Sequence, residues 1–367
     1  MSSKRLVPLI VAASVLIGSG SPAIGVSQAE QAILIPGAMP FKKINPLYPT
    51  VAETYPDIGK FFHTSDAGRL IEYSQDPLAA DTSLAQGVDE TIEALDDSTG
   101  GVVVIGESMG SMVAWRVAEE LAKTDPEGKK PVRFVLIASP DVGISEYFKE
   151  GTHIPILNYT IRRVGDSPYD TTIVVGEYDG WSDPPDRPWN LVASANALAG
   201  IAYVHGPPSF TADVSDLTPQ SVVPRTDQHG SVTTYLLPAQ TLPLTQVFHD
   251  VGVPDALVDK ADEVLRPVVD AGYVRHDKPG DTRPYLYDGE IRRNVQSQQT
   301  VRESARNTAG DKPGVGAERR ERGGDARPAS HSLRDRVEAG FDALKQRIAE
   351  RKAERESRST PSEAVTP

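Results

Sequence analysis

The feature that most constrains the fold is an apolar run at residues 101–105 that leads directly into Gly106-Glu107-Ser108-Met109-Gly110. After this pentapeptide, apolar residues recur every three or four positions, which predicts an amphipathic helix. These apolar positions are Met109, Met112, Val113, Val117 and Leu121. A strand that is apolar on both faces and passes at once into a helix is typical of a parallel sheet covered by helices. The pattern therefore favours an α/β domain.

The same alternation of strands and helices continues along the chain. Runs of apolar and β-branched residues, interrupted only by Arg133, predict further strands at residues 32–35, 132–138, 171–175 and 233–237, with weaker candidates at 59–62 and 69–73. Helical spacing is found at residues 84–95, 190–204 and 256–271, and Pro267 is expected to break the last of these helices. Residues 141–170 have no clear place in the alternation. We interpret them as an insertion over the carboxyl edge of the sheet, where α/β proteins place their sites.

The N-terminal 30 residues have the pattern of an export segment. Lys4 and Arg5 precede an apolar run at residues 6–17, and no further charge occurs before Glu30. This pattern predicts a secretory signal peptide, with Ser27-Gln28-Ala29 as a cleavage site. An uncleaved membrane anchor is the alternative, because residues 6–29 are about long enough to span a bilayer. Both interpretations predict an exported protein of the cell envelope, either membrane-anchored or secreted.

The composition changes after residue 285, so residues 31–285 are predicted to be the folded domain and 286–367 a disordered tail. The tail has 17 basic and 14 acidic residues, whereas the whole chain has a net charge of −13. This acidic balance argues against nucleic acid as a partner. One amphipathic helix is expected near residues 332–356, and its partner is left open. The chain has no Cys, which excludes disulfides, thiolate metal sites and a thiol nucleophile.

Residues 106–110 match G-x-S-x-G, the nucleophile elbow of α/β-hydrolase-like enzymes. In this motif Ser108 stands on a sharp turn between strand and helix, and flanking glycines avoid Cβ clashes. The hydroxyl then projects at the helix N-terminus, where free N–H groups favour negative charge. The N–H of Met109 is one expected oxyanion donor. Gly37 and Ala38, which follow the first strand, are the candidates for the second donor. The predicted fold class is thus an α/β-hydrolase-like, mostly parallel sheet with helices on both faces.

In this fold the acid and the base follow the nucleophile in the order Ser, Asp, His. Asp179, after the strand at residues 171–175, is the first candidate for the acid, with Asp183 and Asp141 as alternatives. His205 is the first candidate for the base, with His229 as the alternative. The sequence has no phosphate-binding glycine loop, no His-Glu-x-x-His and no calcium loop, so neither a metal nor a cofactor is predicted.

Several segments between about residues 33 and 275 resemble the PE-PPE-domain family, α/β serine hydrolases related to cutinases and found mainly in mycobacteria. Besides residues 106–110, they are Tyr178-Asp179-Gly180-Trp181-Ser182-Asp183-Pro184, Asn190-Leu191-Val192-Ala193, Asn196-Ala197-Leu198-Ala199-Gly200, Tyr203-Val204-His205-Gly206, Thr233-Thr234-Tyr235-Leu236-Leu237-Pro238 and Leu242-Pro243-Leu244. The resemblance implies that the family's catalytic Asp and His fall on Asp179 and His205.

The resemblance also implies a substrate class, because some exported relatives transfer acyl chains between acylated trehalose glycolipids. We therefore expect a serine acyltransferase or esterase that acts on an acyl-lipid or glycolipid and associates with the membrane. Transfer to a sugar hydroxyl and hydrolysis by water remain open, since both use one acyl-serine intermediate. The remaining alternative is a non-catalytic envelope scaffold.

Overall fold

The computed structural model describes residues 31–46, 52–63, 68–224 and 230–293. The predicted export segment, His229 and the predicted tail helix lie outside these residues. Within the described ranges, no helix is long and apolar enough to cross a membrane.

The centre of the molecule is a seven-stranded sheet, which confirms the predicted mostly parallel α/β architecture. Its strands are β1 (Gln31–Ile35), β2 (Arg69–Leu70), β3 (Val102–Glu107), β4 (Val132–Ile137), β7 (Thr171–Gly176), β8 (Ser221–Pro224) and β9 (Ser231–Leu237). In space their order is β2-β1-β3-β4-β7-β9-β8. All neighbouring strands are parallel except β8, which is antiparallel to β9. Because the strands are parallel, the loops that follow β1, β3, β4 and β7 all leave the same edge.

Both faces of the sheet are buried, which explains why its central strands are apolar throughout. In β3, Val102 and Val104 belong to one core cluster, while Val103 and Ile105 belong to the cluster on the opposite face. Alternate side chains of a strand point to opposite faces, so a strand buried on both sides cannot show an apolar–polar alternation.

Helices with described bounds are α1 (Ala80–Asp96), α2 (Met109–Thr124), α3 (Leu191–Tyr203), α4 (Pro207–Phe210), α5 (Pro243–Asp250) and α6 (Asp255–Asp270). Helices α1 and α2 cover one face of the sheet. Short 3₁₀ turns at Tyr55–Asp57 and Lys60–Phe62, with Phe210 and Leu217, cover the other face. Helices α3, α5 and α6 pack together around a third, smaller core cluster.

Two local predictions are wrong. Residues 59–62, a weak strand candidate, form a 3₁₀ turn in which Gly59 has a φ of +58°. An extended strand is not compatible with that left-handed conformation. Helix α6 continues through Pro267 to Asp270, because a proline near the end of a helix disturbs only its final turns.

Residues 141–170, predicted to be an insertion over the carboxyl edge of the sheet, begin at that edge after β4 and return to the start of the parallel strand β7. They pass along the face that α1 and α2 cover, since Tyr159, Ile161 and Tyr169 belong to the core cluster of that face. The segment contains 3₁₀ turns at Ile144–Tyr147 and Pro155–Leu157, the end of a third at Pro140–Val142, and a small hairpin formed by β5 (His153–Ile154) and β6 (Tyr159–Thr160). The N–H of Ile144 donates to the carbonyl of Trp181 at 2.8 Å, and the Tyr147 hydroxyl donates to the carbonyl of Pro185. The insertion therefore supports the loop that follows β7.

The described structure continues past residue 285, where the sequence analysis placed the start of a disordered tail. Strands β10 (Tyr285–Tyr287) and β11 (Glu290–Arg292) form an antiparallel hairpin. Arg163 lies over one ring of this hairpin, 4.9 Å from the centroid of Tyr287, and one of its Nη atoms lies 2.9 Å from Oδ1 of Asp288. These contacts join the hairpin to the segment that follows β6. They explain why the hairpin is ordered although it lies in the part of the chain predicted to be a disordered tail.

Candidate active site

The turn at Ser108 explains why residues 106–110 contain two glycines. Ser108 stands between β3 and α2 with φ +52° and ψ −120°, a conformation that non-glycine residues rarely adopt. A Cβ on Gly106 would lie 2.2 Å from the Gly110 carbonyl oxygen, and one on Gly110 would lie 2.0 Å from that of Ile35. Neither position has room for a side chain, so the close approach of these backbones requires glycine on both sides of Ser108.

The structure brings together the three residues that the sequence favoured. Nε2 of His205 lies 2.8 Å from Oγ of Ser108, and its Nδ1 lies 2.7 Å from Oδ2 of Asp179. Ser108 follows β3, Asp179 follows β7 and His205 follows α3. The three side chains thus form a continuous hydrogen-bonded chain at the carboxyl edge. This arrangement can take a proton from the hydroxyl and hold the resulting imidazolium in place.

The carboxylate of Asp179 is fixed from two further directions. The side chain is fully buried. Its Oδ1 accepts the N–H of Trp181 at 3.0 Å, and its Oδ2 also accepts the Ser182 hydroxyl at 2.6 Å. These hydrogen bonds hold the buried carboxylate in one orientation, which in turn fixes the ring of His205.

The alternative acids have other partners. Asp183 accepts two hydrogen bonds from Arg275, at 2.7 and 3.0 Å, and one from the N–H of Tyr178 at 2.7 Å. Asp141 lies 3.0 Å from Nη1 of Arg116 and accepts the hydroxyl of Tyr159. Both carboxylates therefore stabilise the surrounding structure instead of orienting His205.

The structure distinguishes between Gly37 and Ala38, the two candidates for the second oxyanion donor. The carbonyl of Gly37 accepts Nε2 of Gln75 at 2.6 Å, and its N–H donates to the carboxyl group of Glu107. Because a trans peptide points its C=O and N–H in opposite directions, the N–H of Ala38 faces away from Gln75. Among the described residues this N–H has no hydrogen-bond partner. Ala38 and Met109 are therefore the available pair, whereas the N–H of Gly37 is occupied.

The residues that hold this loop were not predicted from the sequence. Besides Gln75 and Glu107 they include Tyr73, whose hydroxyl donates to the carbonyl of Pro36 at 2.6 Å. Glu107 carried a signal, since it is the single charged residue at the end of an apolar strand next to Ser108. Gln75 carried none, because it lies in an irregular segment with a φ of +55°.

Two groups at the site have altered pKa values. Burial by itself lowers the pKa of His205, but the hydrogen bond and charge of Asp179, together with the charge of Glu107, raise it above its ordinary value. Burial raises the pKa of Glu107 to about 7, although His205 and the N–H of Gly37 act in the opposite direction. In the described part of the chain, no group of three or more His, Asp or Glu side chains is arranged to hold a metal ion.

The family model described as the PE-PPE domain matches residues 56–274. The chain belongs to the PE-PPE domain family. This confirms the resemblance found in the sequence. The matched residues include Ser108, Asp179 and His205, while the loop with Gly37 and Ala38 precedes them.

The chain is similar to several proteins from Mycobacterium tuberculosis, of which three are described here. The chain is 41% identical to the uncharacterized PPE family protein PPE63 over 193 residues, which is 52% of this chain and 39% of that protein. It is 37% identical to the diacyltrehalose acyltransferase Chp2 over 226 residues, 58% of this chain and 62% of Chp2. Its identity to the SL1278 acyltransferase Chp1 is 31% over 265 residues, 68% of this chain and 65% of Chp1. The chain thus spans less than two thirds of each relative's length.

Proposed function

We propose that this PE-PPE protein is a serine acyltransferase that acts on lipid esters through an acyl-Ser108 intermediate. The observation that carries the proposal is the hydrogen-bonded chain from Ser108 through His205 to the buried Asp179. It contains a nucleophile, a base and an orienting carboxylate in bonding contact, which is the constellation that acyl transfer requires.

The first half-reaction forms the intermediate. Oγ of Ser108 bonds to the carbonyl carbon of the ester while its proton passes to Nε2 of His205. The negative charge on the former carbonyl oxygen is stabilised by hydrogen bonds that the N–H groups of Met109 and Ala38 donate to it. The bond between the carbonyl carbon and the alcohol oxygen then breaks, and that oxygen takes the proton from His205.

The second half-reaction repeats these steps with an acceptor. An acceptor hydroxyl gives its proton to His205 and bonds to the acyl carbon, and the bond to Oγ of Ser108 breaks as Oγ regains a proton. A sugar hydroxyl yields a new acyl ester, whereas water yields a free acid. The names of Chp2 and Chp1 support transfer, and the name of Chp2 supports an acylated trehalose glycolipid as substrate. We place this activity in the cell envelope, with membrane association, on the basis of the export pattern in residues 1–30.

The test uses the full-length chain, its Ser108→Ala variant and Ser98→Ala as a matched control. Ser98 lies beyond the end of α1, and its hydroxyl donates to the carbonyl of Ala94. Each protein is incubated with a trehalose ester of a medium-chain acid, with and without free trehalose as the acceptor, and products are followed by mass spectrometry. We expect newly acylated trehalose from the wild type and from Ser98→Ala, and none from Ser108→Ala.

The outcomes separate the alternatives. Free acid alone, lost in Ser108→Ala, would assign the protein as an esterase. No product and no acyl adduct on Ser108 would reject both enzymatic functions and favour the scaffold interpretation.

A further inference from the structure

Glu107 is a buried carboxyl group beside the reacting atoms for which the proposed reaction has so far no role. It ends β3 and is 5% exposed. Its Oε1 lies 4.0 Å from Nε2 of His205, the atom that contacts Ser108. The same carboxyl group accepts the N–H of Gly37 from the oxyanion loop. Glu107 therefore connects the base to the loop that supplies an oxyanion donor.

The surroundings of Glu107 are unusual for a purely structural carboxyl group. In the described residues, His205 is the only basic side chain that forms an ion pair with it. A carboxyl group without a permanent cation is costly to bury, and a neutral amide of the same shape would fill the space at a lower cost. The contrast is Asp141, which is also buried but is paired with Arg116.

We propose that the carboxylate of Glu107 is a positioning residue that stabilises the protonated form of His205 and holds the oxyanion loop during acyl transfer. The proposal rests on the proposed function, because the imidazolium that Glu107 is proposed to stabilise during turnover is the one formed when Ser108 gives its proton to His205.

The geometry places the charge of Glu107 where it is needed. When Nε2 of His205 receives the proton of Ser108, the imidazolium lies between two carboxylates. Asp179 contacts Nδ1 at 2.7 Å, and Glu107 lies 4.0 Å from Nε2. Since the imidazolium forms in both half-reactions, Glu107 acts on both. No proton moves to Glu107 itself, so the proton balance of the reaction is unchanged.

The second contact of Glu107 fixes the loop. A Cβ on residue 37 would lie 2.2 Å from Oε2 of Glu107 and 3.0 Å from Cβ of Ser108, so only glycine allows this approach. With the N–H of Gly37 bound to Glu107 and its carbonyl bound to Gln75, the next peptide has one orientation. That orientation leaves the N–H of Ala38 free for the oxyanion.

The groups that face Glu107 decide how it titrates. They are His205 and Asp179 from the loops at the carboxyl edge, and Tyr73 from the segment after β2. Burial, and then the charge of Glu107, raise the pKa of Tyr73 well above its ordinary value, so this phenol stays neutral. Glu107 and His205 are therefore coupled, and removing the carboxylate should lower the pKa of His205.

The test compares kcat as a function of pH for the full-length wild type, Glu107→Gln and a matched control, with p-nitrophenyl octanoate as the substrate. Glu107→Gln keeps the shape and an acceptor for the N–H of Gly37 but removes the charge. The control is Glu146→Gln, because burial also raises the pKa of Glu146 to about 7 while its charged neighbours are Asp186, Arg163 and Asp183.

We expect the plateau kcat of Glu107→Gln to fall about tenfold, because one charge that stabilises the imidazolium is lost. We also expect the midpoint of its acidic limb to move to lower pH. Neither value should change in Glu146→Gln. If the wild type is active and Glu107→Gln has the same plateau kcat and the same midpoint of the acidic limb, Glu107 does not have the proposed role.

Two further measurements, an NMR titration of His205 and labelling of Ser108, test the role of Glu107 and the proposed function separately. If Glu107→Gln does not fold, the ring of His205 is titrated by NMR in the wild type, and a pKa at or below 6.5 would overturn the proposal. Labelling of Ser108 by a fluorophosphonate tests the proposed function separately. If the wild type is neither labelled by the fluorophosphonate nor active on the ester, the proposed function is wrong, and the role of Glu107, which rests on it, is rejected with it.

Discussion

The N–H of Asp183 donates to the carbonyl of Asp179 at 2.7 Å, yet the carboxylates of these two residues have separate partners. Asp179 accepts His205, whereas Asp183 accepts Arg275 and the N–H of Tyr178. One short loop therefore contains both the carboxylate that orients the base and the carboxylate that fixes the loop to the segment after α6.

Substitutions at Asp179 and Asp183 should affect different properties, turnover at Asp179 and stability at Asp183. Asp179→Asn should lower kcat by about 10³- to 10⁴-fold with little loss of stability, because an amide no longer holds His205 in the required tautomer. Asp183→Asn should instead reduce the free energy of unfolding by about 2–3 kcal/mol. It removes the carboxylate that accepts two hydrogen bonds from Arg275 and leaves that largely buried charge with Glu177, 3.5 Å away, as its remaining carboxylate. Ester turnover and urea denaturation of both variants check this. The assignment would be wrong if Asp183→Asn lost activity while its unfolding was unchanged.

Gln75 should affect turnover more than binding. Gln75→Met keeps the volume but removes the donor to the carbonyl of Gly37, so the peptide that carries the N–H of Ala38 is less well oriented. We expect kcat to fall about 10- to 100-fold with KM changed by less than about twofold. The control is Gln220→Met, since Gln220 is exposed and precedes β8, the edge strand on the far side of the sheet from β1. Equal losses in the two variants would contradict the proposed role of Gln75.

The close backbone approach at Gly110 predicts a loss of both stability and activity. In Gly110→Ala the new Cβ would overlap the carbonyl oxygen of Ile35, so β1 or α2 must shift. We expect destabilisation of about 2–3 kcal/mol and loss of ester turnover. In Gly165→Ala no atom lies within 4 Å of the new Cβ, and stability should stay within about 0.5 kcal/mol. Thermal unfolding of the two variants makes the comparison, and similar melting temperatures would refute the steric argument.

The raised pKa of Glu146 predicts a pH-dependent stability. Burial, and then Asp186, raise the pKa of Glu146 to about 7, while Arg163 acts against this. Since its pKa in the unfolded chain is about 4.3, the folded protein holds this proton more tightly, and the stability it contributes falls as pH rises from about 4 to 7.

Glu146→Gln removes this titration. Its stability relative to the wild type should therefore increase by about 2 kcal/mol between pH 5 and pH 8. Urea denaturation at the two pH values measures the change. A difference from the wild type that is the same at both pH values would show that the carboxyl group does not titrate in this range.

Much of the sheet could be predicted because its strands are buried on both faces. Residues 101–105 are apolar throughout and residues 171–175 are all β-branched, which are the compositions typical of a buried strand. Residues 59–62 contain two adjacent Phe residues, but Gly59 adopts a left-handed turn where a Cβ would lie 2.6 Å from the side chain of Ile105. The hairpin at residues 285–292 escaped prediction because its stability comes from contacts with Arg163, which is more than a hundred residues away in the chain.

For the site, the sequence pattern identified the candidate nucleophile, because a strained turn between strand and helix needs glycine at fixed positions around Ser108. It also placed Asp179 and His205 first among their alternatives. The packing of distant segments established which carboxylate meets the imidazole, which N–H of the oxyanion loop is free, and that Glu107 lies beside His205. The physical reason is that backbone geometry depends on neighbouring residues, whereas hydrogen-bond partners and the pKa values they set depend on residues that are distant in the chain and meet only at the carboxyl edge of the sheet.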